Sequence, residues 1–168
     1  IYMADISGGQ KTGLFFDQRE NHAFTAKLAN GGSIIDVFSH VGGFSLAALS
    51  AGATSATAVD SSQPALDLAI KGADASGFSK LFSTRKGDAF EVMAQLFDEG
   101  ERYQVVVCDP PAFAPSKPAL ERGLRAYEKA AKMASKLVKP GGYLVLCSCS
   151  HAADMQKFRK ASLVGMGK

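Results

Sequence analysis

A doubly wound α/β domain with a largely parallel sheet is the fold class this sequence predicts. Three observations carry that reading. Residues 33–60, SIIDVFSHVGGFSLAALSAGATSATAVD, read as strand, glycine-bearing turn, helix and a second strand ending in an acid. Residues 103–108 (YQVVVC) and 143–147 (YLVLC) are short, uncharged, β-branched or apolar runs suited to strands buried on both faces. Each of those runs ends in chemistry-bearing residues, as strands of open α/β sheets do at their carboxyl edge. The expected strand order is 3-2-1-4-5, with helices on both faces.

The elements follow in order. Residues 10–19, QKTGLFFDQR, place Leu14, Phe15 and Phe16 before a polar cluster, and Asp17 is positioned to cap a helix over 18–29 that ends at Asn30-Gly31-Gly32. Lys11, Asp17, Gln18 and Arg19 either edge a cofactor pocket or form a solvated helix start. In 33–38, Ile34, Ile35, Val37 and Phe38 make a buried strand. Gly42-Gly43 lets the chain turn tightly and approach a ligand, and the helix over 44–51 can turn its N-terminal amides toward an anion. Asp60 ends the second strand, where a carboxylate can accept both hydroxyls of a ribose. Two-glycine turns also occur without a ligand. The turn Ser39-His40-Val41-Gly42-Gly43 lacks the G-x-G-x-x-G spacing of a dinucleotide site and fits the methionine part of S-adenosylmethionine better.

Beyond Asp60 and Ser61, Ser62 is an N-cap and Pro64 a first-turn residue of a helix whose apolar face is Ala65, Leu66, Leu68, Ala69 and Ala73. Residues 81–84 form a weak strand. Asp88, followed by Ala89 and Phe90, either takes the exocyclic amine of an adenine or caps the helix over 89–97, and a carboxylate can do both. The strand 103–108 runs into Asp109-Pro110-Pro111-Ala112-Phe113-Ala114-Pro115. Prolines stiffen this loop, which suits a flat ring held against Phe113 and hydrogen-bonded by Asp109. Lys117, further along, could meet phosphate. A long helix over 120–138, closed by Lys139-Pro140-Gly141-Gly142, carries Arg122, Arg125, Lys129, Lys132 and Lys136, which either face RNA or are simply solvated. The strand 143–147 then delivers Ser148-Cys149-Ser150-His151. By the period of two, Cys147 and Cys149 share a face. Cys147 reads as a buried hydrophobe, and Cys149, at the ligand edge beside the proline loop, as a candidate nucleophile. His151 either supports its thiolate or starts a final helix over 152–168.

Composition narrows the function classes. The 168 residues are 46% hydrophobic and 21% charged, which is ordinary for a globular domain with a sizeable core. No apolar run approaches membrane-spanning length. The three cysteines form no CxxC pair and no metal-ligand set with the histidines. Their odd number and the lack of a signal-peptide pattern point to a reducing cytoplasm. A net charge of +3 is compatible with a nucleic-acid partner.

Taken together, GQKTGLFFDQREN, DVFSHVGGFSLAAL, AVDSSQPALDLA, GDAFEVM, VVCDPPAFAPSK and LCSCSH, in this order, resemble the large-subunit ribosomal RNA methyltransferases that make 5-methylcytosine. These are class I, Rossmann-like enzymes that use S-adenosylmethionine. The resemblance implies that Asp36, Phe38, Ser39, Val41, Gly42, Gly43 and Phe44 hold the methionine part, Asp60 and Ser61 the ribose, and Asp88 and Ala89 the adenine. It implies that Asp109 acts in the catalytic loop and also borders the cofactor, that Pro110, Pro111, Phe113 and Lys117 meet the substrate, and that Cys149 matches the nucleophile of a T-C-S motif, here S-C-S. The partner implied is ribosomal RNA, with no membrane and no metal; a homodimer is compatible with the sequence. Many RNA cytosine-5 methyltransferases carry a second cysteine in the proline loop. DPPAF has none, so proton removal from C5 relies on another group or water. Family members also carry a PUA-type RNA-binding domain and a terminal antiparallel hairpin, so the chain reads as a truncated catalytic domain. The alternatives are an amino-methyltransferase on a base nitrogen, which favours an aromatic directly after (D/N)PP and needs no cysteine, and a cofactor-binding or RNA-binding domain without catalysis.

Overall fold

The computed structural model describes residues 1–5 and 15–168; Lys11 and Leu14 lie outside the described residues. Among these, a five-stranded sheet runs in the order β3-β2-β1-β4-β5 with every neighbouring pair parallel, as the sequence predicts. The strands are β1 (Ser33–Val37), β2 (Ser55–Asp60), β3 (Phe82–Lys86), β4 (Tyr103–Cys108) and β5 (Val138–Leu146). The helices are α1 (Arg19–Leu28), α2 (Gly43–Ser50), α3 (Gln63–Ala75), α4 (Ala89–Asp98), α5 (Leu120–Ser135) and α6 (Met155–Gly165).

The central strands β1 and β4 alternate their side chains between two cores. On one face Ile34, Val105 and Val107 meet Ala29, at the end of α1, and Phe44, Ala48 and Leu49 of α2. On the other face Ile35, Val37, Val59 and Val106 meet Val92, Met93 and Leu96 of α4 and Ala130 and Ala134 of α5. Helix α6 lies against α5 so closely that a Cβ on Gly165 would sit 2.2 Å from the Glu128 carbonyl oxygen. Registers such as Val37↔Val59 and Val37↔Cys108 bring the strands' carboxyl ends to one edge.

Several boundaries differ from the sequence reading for physical reasons. Asp17 does not cap α1: it sits in a 3₁₀ turn, Phe16–Gln18, and Gln18 is the N-cap residue, with no side-chain cap. Helix α5 stops at Ser135 rather than 138. Val138 already pairs with Tyr103, and the residues up to Gly142 form an irregularity inside β5. Gly142 permits this, because a Cβ there would lie 2.6 Å from the Gln104 carbonyl oxygen. Strand β5 is not a doubly buried strand but an edge, with Tyr143 46% exposed. It ends at Leu146, so strand alternation no longer governs Cys147 to Cys149. The caps at Ser62 and Asp88 are as expected: Ser62 Oγ accepts from the Ala65 N–H at 3.3 Å, and Asp88 Oδ1 from those of Phe90 and Glu91. No described helix is long and apolar enough to cross a membrane.

Candidate functional site

The carboxyl edge of the sheet gathers the segments that follow all five strands, and the turn after β1 is the most constrained. Phe38 and His40 both hold positive φ, 66° and 50°, and Gly42 follows at 78°. The left-handed region is costly for a side-chain-bearing residue, about 1–3 kcal/mol each. Neighbours hold the turn in place. Ser39 N–H donates to the Val59 carbonyl at 3.0 Å, and His40 N–H to Asp60 Oδ2 at 2.8 Å. Asp60 Oδ1 accepts from Ser62 N–H at 2.9 Å, so each of its oxygens anchors one backbone amide of the pocket rim.

The two glycines divide their work. Gly42 supplies the left-handed N-cap of α2. Gly43 makes room for a side chain from α1: a Cβ there would lie 2.6 Å from His22 Cε1. The His22 ring also packs edge-on to Phe44 at 4.4 Å, and burial lowers its basicity. Nothing in the sequence pattern marks His22, because the contact joins α1 to a turn from another part of the chain.

One first-turn amide of α2 meets the chain's own carboxylate: Asp36 Oδ2 accepts from both Ser45 N–H and Ser45 Oγ at 3.1 Å. Asp36 is 1% exposed, beneath the turn rather than on its surface. Burial pushes its carboxyl up to about 7, with nearby Asp109 and Asp60 adding to the rise. Asp36 Oδ1, Ser39 Oγ and His40 Nδ1 are buried with no hydrogen-bond partner among the described residues. Orphaned polar atoms around one turn are what a polar ligand with amine and carboxylate groups would satisfy.

Phe38 after β1, Phe90 in the first turn of α4 and Phe113 of the proline loop meet as a triangle with centroids 6.2–6.3 Å apart. Phe113, the aromatic of the proline loop, stacks on Phe90 beside Asp88, so the segments after β3 and β4 share one wall. Lys129 Nζ lies 4.5 Å from the Phe90 ring centre. Ser61, Asp88, Pro111 and Lys117 are exposed, whereas Val41, Ala89 and Pro110 are buried. Arg122, Arg125, Lys129 and Lys132 of α5 and Lys136 at its C-cap are all exposed.

Asp109 follows β4 and is tied to β1 by its N–H, which donates to the Val37 carbonyl at 3.1 Å. Burial raises its carboxyl to about 6, and Asp17 contributes in the same direction. The cysteines separate clearly. Cys108 is buried and its thiol is pushed up to about 12; Cys147 is half-buried and shifted the same way by burial, so both stay protonated. Cys149 alone is exposed. Its neighbour Ser150 is buried, with Oγ accepting from the Ala114 N–H at 2.9 Å. That bond fastens the tip after β5 to the proline loop after β4. His151 starts no helix: it lies in an exposed turn, and Asp154 caps α6 by accepting from the Lys157 N–H at 2.9 Å. Among the described residues no group of three His, Cys, Asp or Glu could hold a metal ion.

Comparison with known proteins places this geometry. The ribosomal RNA large subunit methyltransferase I of Vibrio cholerae is 39% identical over 159 residues, covering 93% of this chain and 40% of that protein. The protein of the same name from Photobacterium profundum is 38% identical over 157 residues, with the same coverage. The chain thus spans about two fifths of the length of these relatives. A methyltransferase solved with SAH superposes with a TM-score of 0.85 at 24% identity, covering 96% of this chain and 43% of that one. A SAM-dependent methyltransferase from Agrobacterium tumefaciens gives 0.77 at 21%, covering 92% and 51%. These two likenesses support the fold. The family model described as S-adenosylmethionine-dependent methyltransferase matches residues 1–159. With that match spanning nearly every element of the sheet edge, the chain belongs to the S-adenosylmethionine-dependent methyltransferase family.

Proposed function

We propose that the protein containing this domain methylates C5 of a cytosine in large-subunit ribosomal RNA through a transient bond between Cys149 and C6. The observation that carries the reading is the separation of the cysteines: two are sequestered as thiols, and the exposed one adjoins Ser150, which is bonded to Ala114 of the proline loop. The names of the curated relatives support the RNA class.

In this reading Asp36, Phe38, Ser39, Val41, Gly42, Gly43 and Phe44 hold the methionine end of the cofactor, directly or by shaping the turn. Asp60 and Ser61 hold the ribose, and Asp88 and Ala89 the adenine. The bound cofactor supplies an electrophilic methyl group. The chain's residues make C5 able to accept it. The Cys149 thiolate adds to C6, the C5=C6 electrons shift to form C4=C5, and the former C4=N3 pair takes a proton at N3. Asp109 is suited to give that proton, since a carboxyl raised to about 6 is still protonated in about a tenth of molecules at neutral pH. C5 then takes the methyl group, and N3 returns its proton to Asp109. Loss of the C5 proton to water re-forms C5=C6 as the thiolate leaves. Pro110, Pro111 and Phe113 form the rigid side of the base site, and Lys117 meets phosphate.

The test is the identity of the labelled nucleoside. Full-length protein, S-adenosylmethionine labelled in its methyl group and unmodified large-subunit RNA should place label in 5-methylcytosine. Label in a methylated exocyclic amine would replace this reading with the amino-methyltransferase. Cofactor binding without transfer to any RNA would leave a binding domain. Separately, Asp60→Ala should weaken SAH binding on the order of 10²-fold by calorimetry, since two charge-assisted hydrogen bonds and the anchors of the turn go together. A change under about threefold would remove Asp60 from the cofactor contacts.

A further inference from the structure

We propose that the Tyr127 hydroxyl is a positioning group that locks Cys149 to the loop carrying Asp109, through a closed ring of hydrogen bonds with Ser148 and Ser150. The inference rests on the reading of Cys149 as nucleophile. The donors and acceptors can be followed around the ring. Ser150 N–H donates to Ser148 Oγ at 3.3 Å, and the Ser148 hydroxyl donates to the Tyr127 oxygen at 2.9 Å. That leaves the Tyr127 proton for Ser150 Oγ, 2.7 Å away, which also accepts from the Ala114 N–H. Cys149 is the residue between the two serines. A second strap joins the same segments, because Ala152 N–H donates to the Ala114 carbonyl at 3.3 Å.

Helix α5 is built to hold this ring still. Tyr127 is 2% exposed and sits between the rings of Phe113 and Phe158, each 5.0 Å from it. One turn earlier, Gly123 lets the proline loop lie directly on the helix, for a Cβ there would be 2.6 Å from Ala114 Cβ and 2.7 Å from the Phe113 oxygen. Packing alone would satisfy an apolar phenylalanine at position 127. The hydroxyl is explained by what it joins: the tip after β5, bearing the thiol, and the loop after β4, bearing the acid. Two groups on separate strands must reach one base together, and misplacement by about 1 Å can cost on the order of 10²-fold in rate.

The experiment uses full-length protein carrying Tyr127→Phe, which keeps the ring stacking and removes the tether. The expected result is a fall in kcat for RNA methylation of about tenfold to a hundredfold, with the RNA KM and the SAH Kd within about twofold. Ser148→Ala should lower kcat in the same direction and Ser148→Thr should restore it, because only the hydroxyl is required. The double variant Tyr127→Phe/Ser148→Ala should lose little more than Tyr127→Phe, as expected within one network. An unchanged kcat in Tyr127→Phe, or a loss expressed in KM, overturns the proposal. Should that variant fail to fold, equal kcat in Ser148→Ala and Ser148→Thr overturns it. If Cys149→Ala stays active, the nucleophile reading has failed instead. The tether is then judged by hydrogen exchange at the Ala114 amide: faster in Tyr127→Phe sustains it, unchanged refutes it.

Discussion

Cys149→Ala in the full-length protein is expected to lower RNA methylation on the order of 10³-fold or more, with SAH affinity unchanged within about twofold. Removing an activating nucleophile leaves C5 of cytosine as it is in the free base, too electron-poor to attack a sulfonium methyl. Binding of cofactor and RNA does not compensate, since it acts on the ground state as well as the transition state. Cys149 is exposed, so the substitution creates no cavity, and its effect on stability should stay within about 0.5 kcal/mol. Single-turnover rates measure the loss directly. A second readout traps the chemistry: RNA carrying fluorine at C5 of the target cytosine should remain attached to the wild-type protein. Fluorine cannot leave as a cation, so the thiolate cannot be expelled. Substantial turnover by Cys149→Ala, or no adduct with the fluorinated RNA, would refute the covalent route.

Asp36→Asn should change how stability depends on pH. Burial raises the Asp36 carboxyl to about 7 in the folded chain, against an ordinary carboxylate when unfolded. The folded state therefore binds the proton more tightly. Its contribution to stability is fully present below the unfolded value and is lost as pH rises through about 7. Between pH 5 and pH 8 that loss amounts to about 2–3 kcal/mol. Asparagine carries no such titration and keeps an oxygen that can accept from Ser45. Relative to wild type, Asp36→Asn should thus gain about 2–3 kcal/mol between those two pH values, read from urea unfolding at each. Asp109 shifts in the same direction and is present in both proteins, so the difference between variants largely removes it. A stability difference that stays constant with pH would mean that Asp36 is ionised throughout.

The elements that were legible in the sequence are those governed by local pattern or by turn chemistry. The run YQVVVC gave β4 to the residue, and the Ser62 and Asp88 caps follow from the hydroxyl or carboxylate before a helix. The strand order followed from the two-glycine turn and the acid at the tip of β2 together with the family resemblance. What escaped depends on contacts between distant segments. The Pro140-Gly141-Gly142 run looks like a helix stop; only the pairing of Val138 with Tyr103 draws it into a strand. Gly43 also makes room for His22, a contact that its place in the turn does not reveal. Asp36 also holds Ser45 of α2, a bond across nine residues that no strand or helix period shows. Tyr127 falls on the apolar stripe of α5 with Gly123, Ala130 and Ala134, where periodicity registers its ring and is silent about its hydroxyl.

The pairing of β1 with both β2 and β4 also bears on how the domain reaches its native state. Ser55 follows Ser33 closely enough for β1 and β2 to meet early, whereas the partners Ile34 and Val105 are separated by most of the sheet's sequence. Closing a loop of about 70 residues costs on the order of 4 kcal/mol in chain entropy before any contact across it is gained. Both walls of the pocket straddle that seam: the strained turn follows β1, and Asp109 hangs from Val37 across it. The half built from β1, α2 and β2 can form its glycine turn as a local unit. The proline loop and its cysteine neighbour can dock only after the slow, long-range pairing is complete. Refolding followed by two probes should accordingly show tertiary burial around α2 ahead of recovery of the β4–β5 edge, so the chemistry of this domain is the last thing its folding delivers.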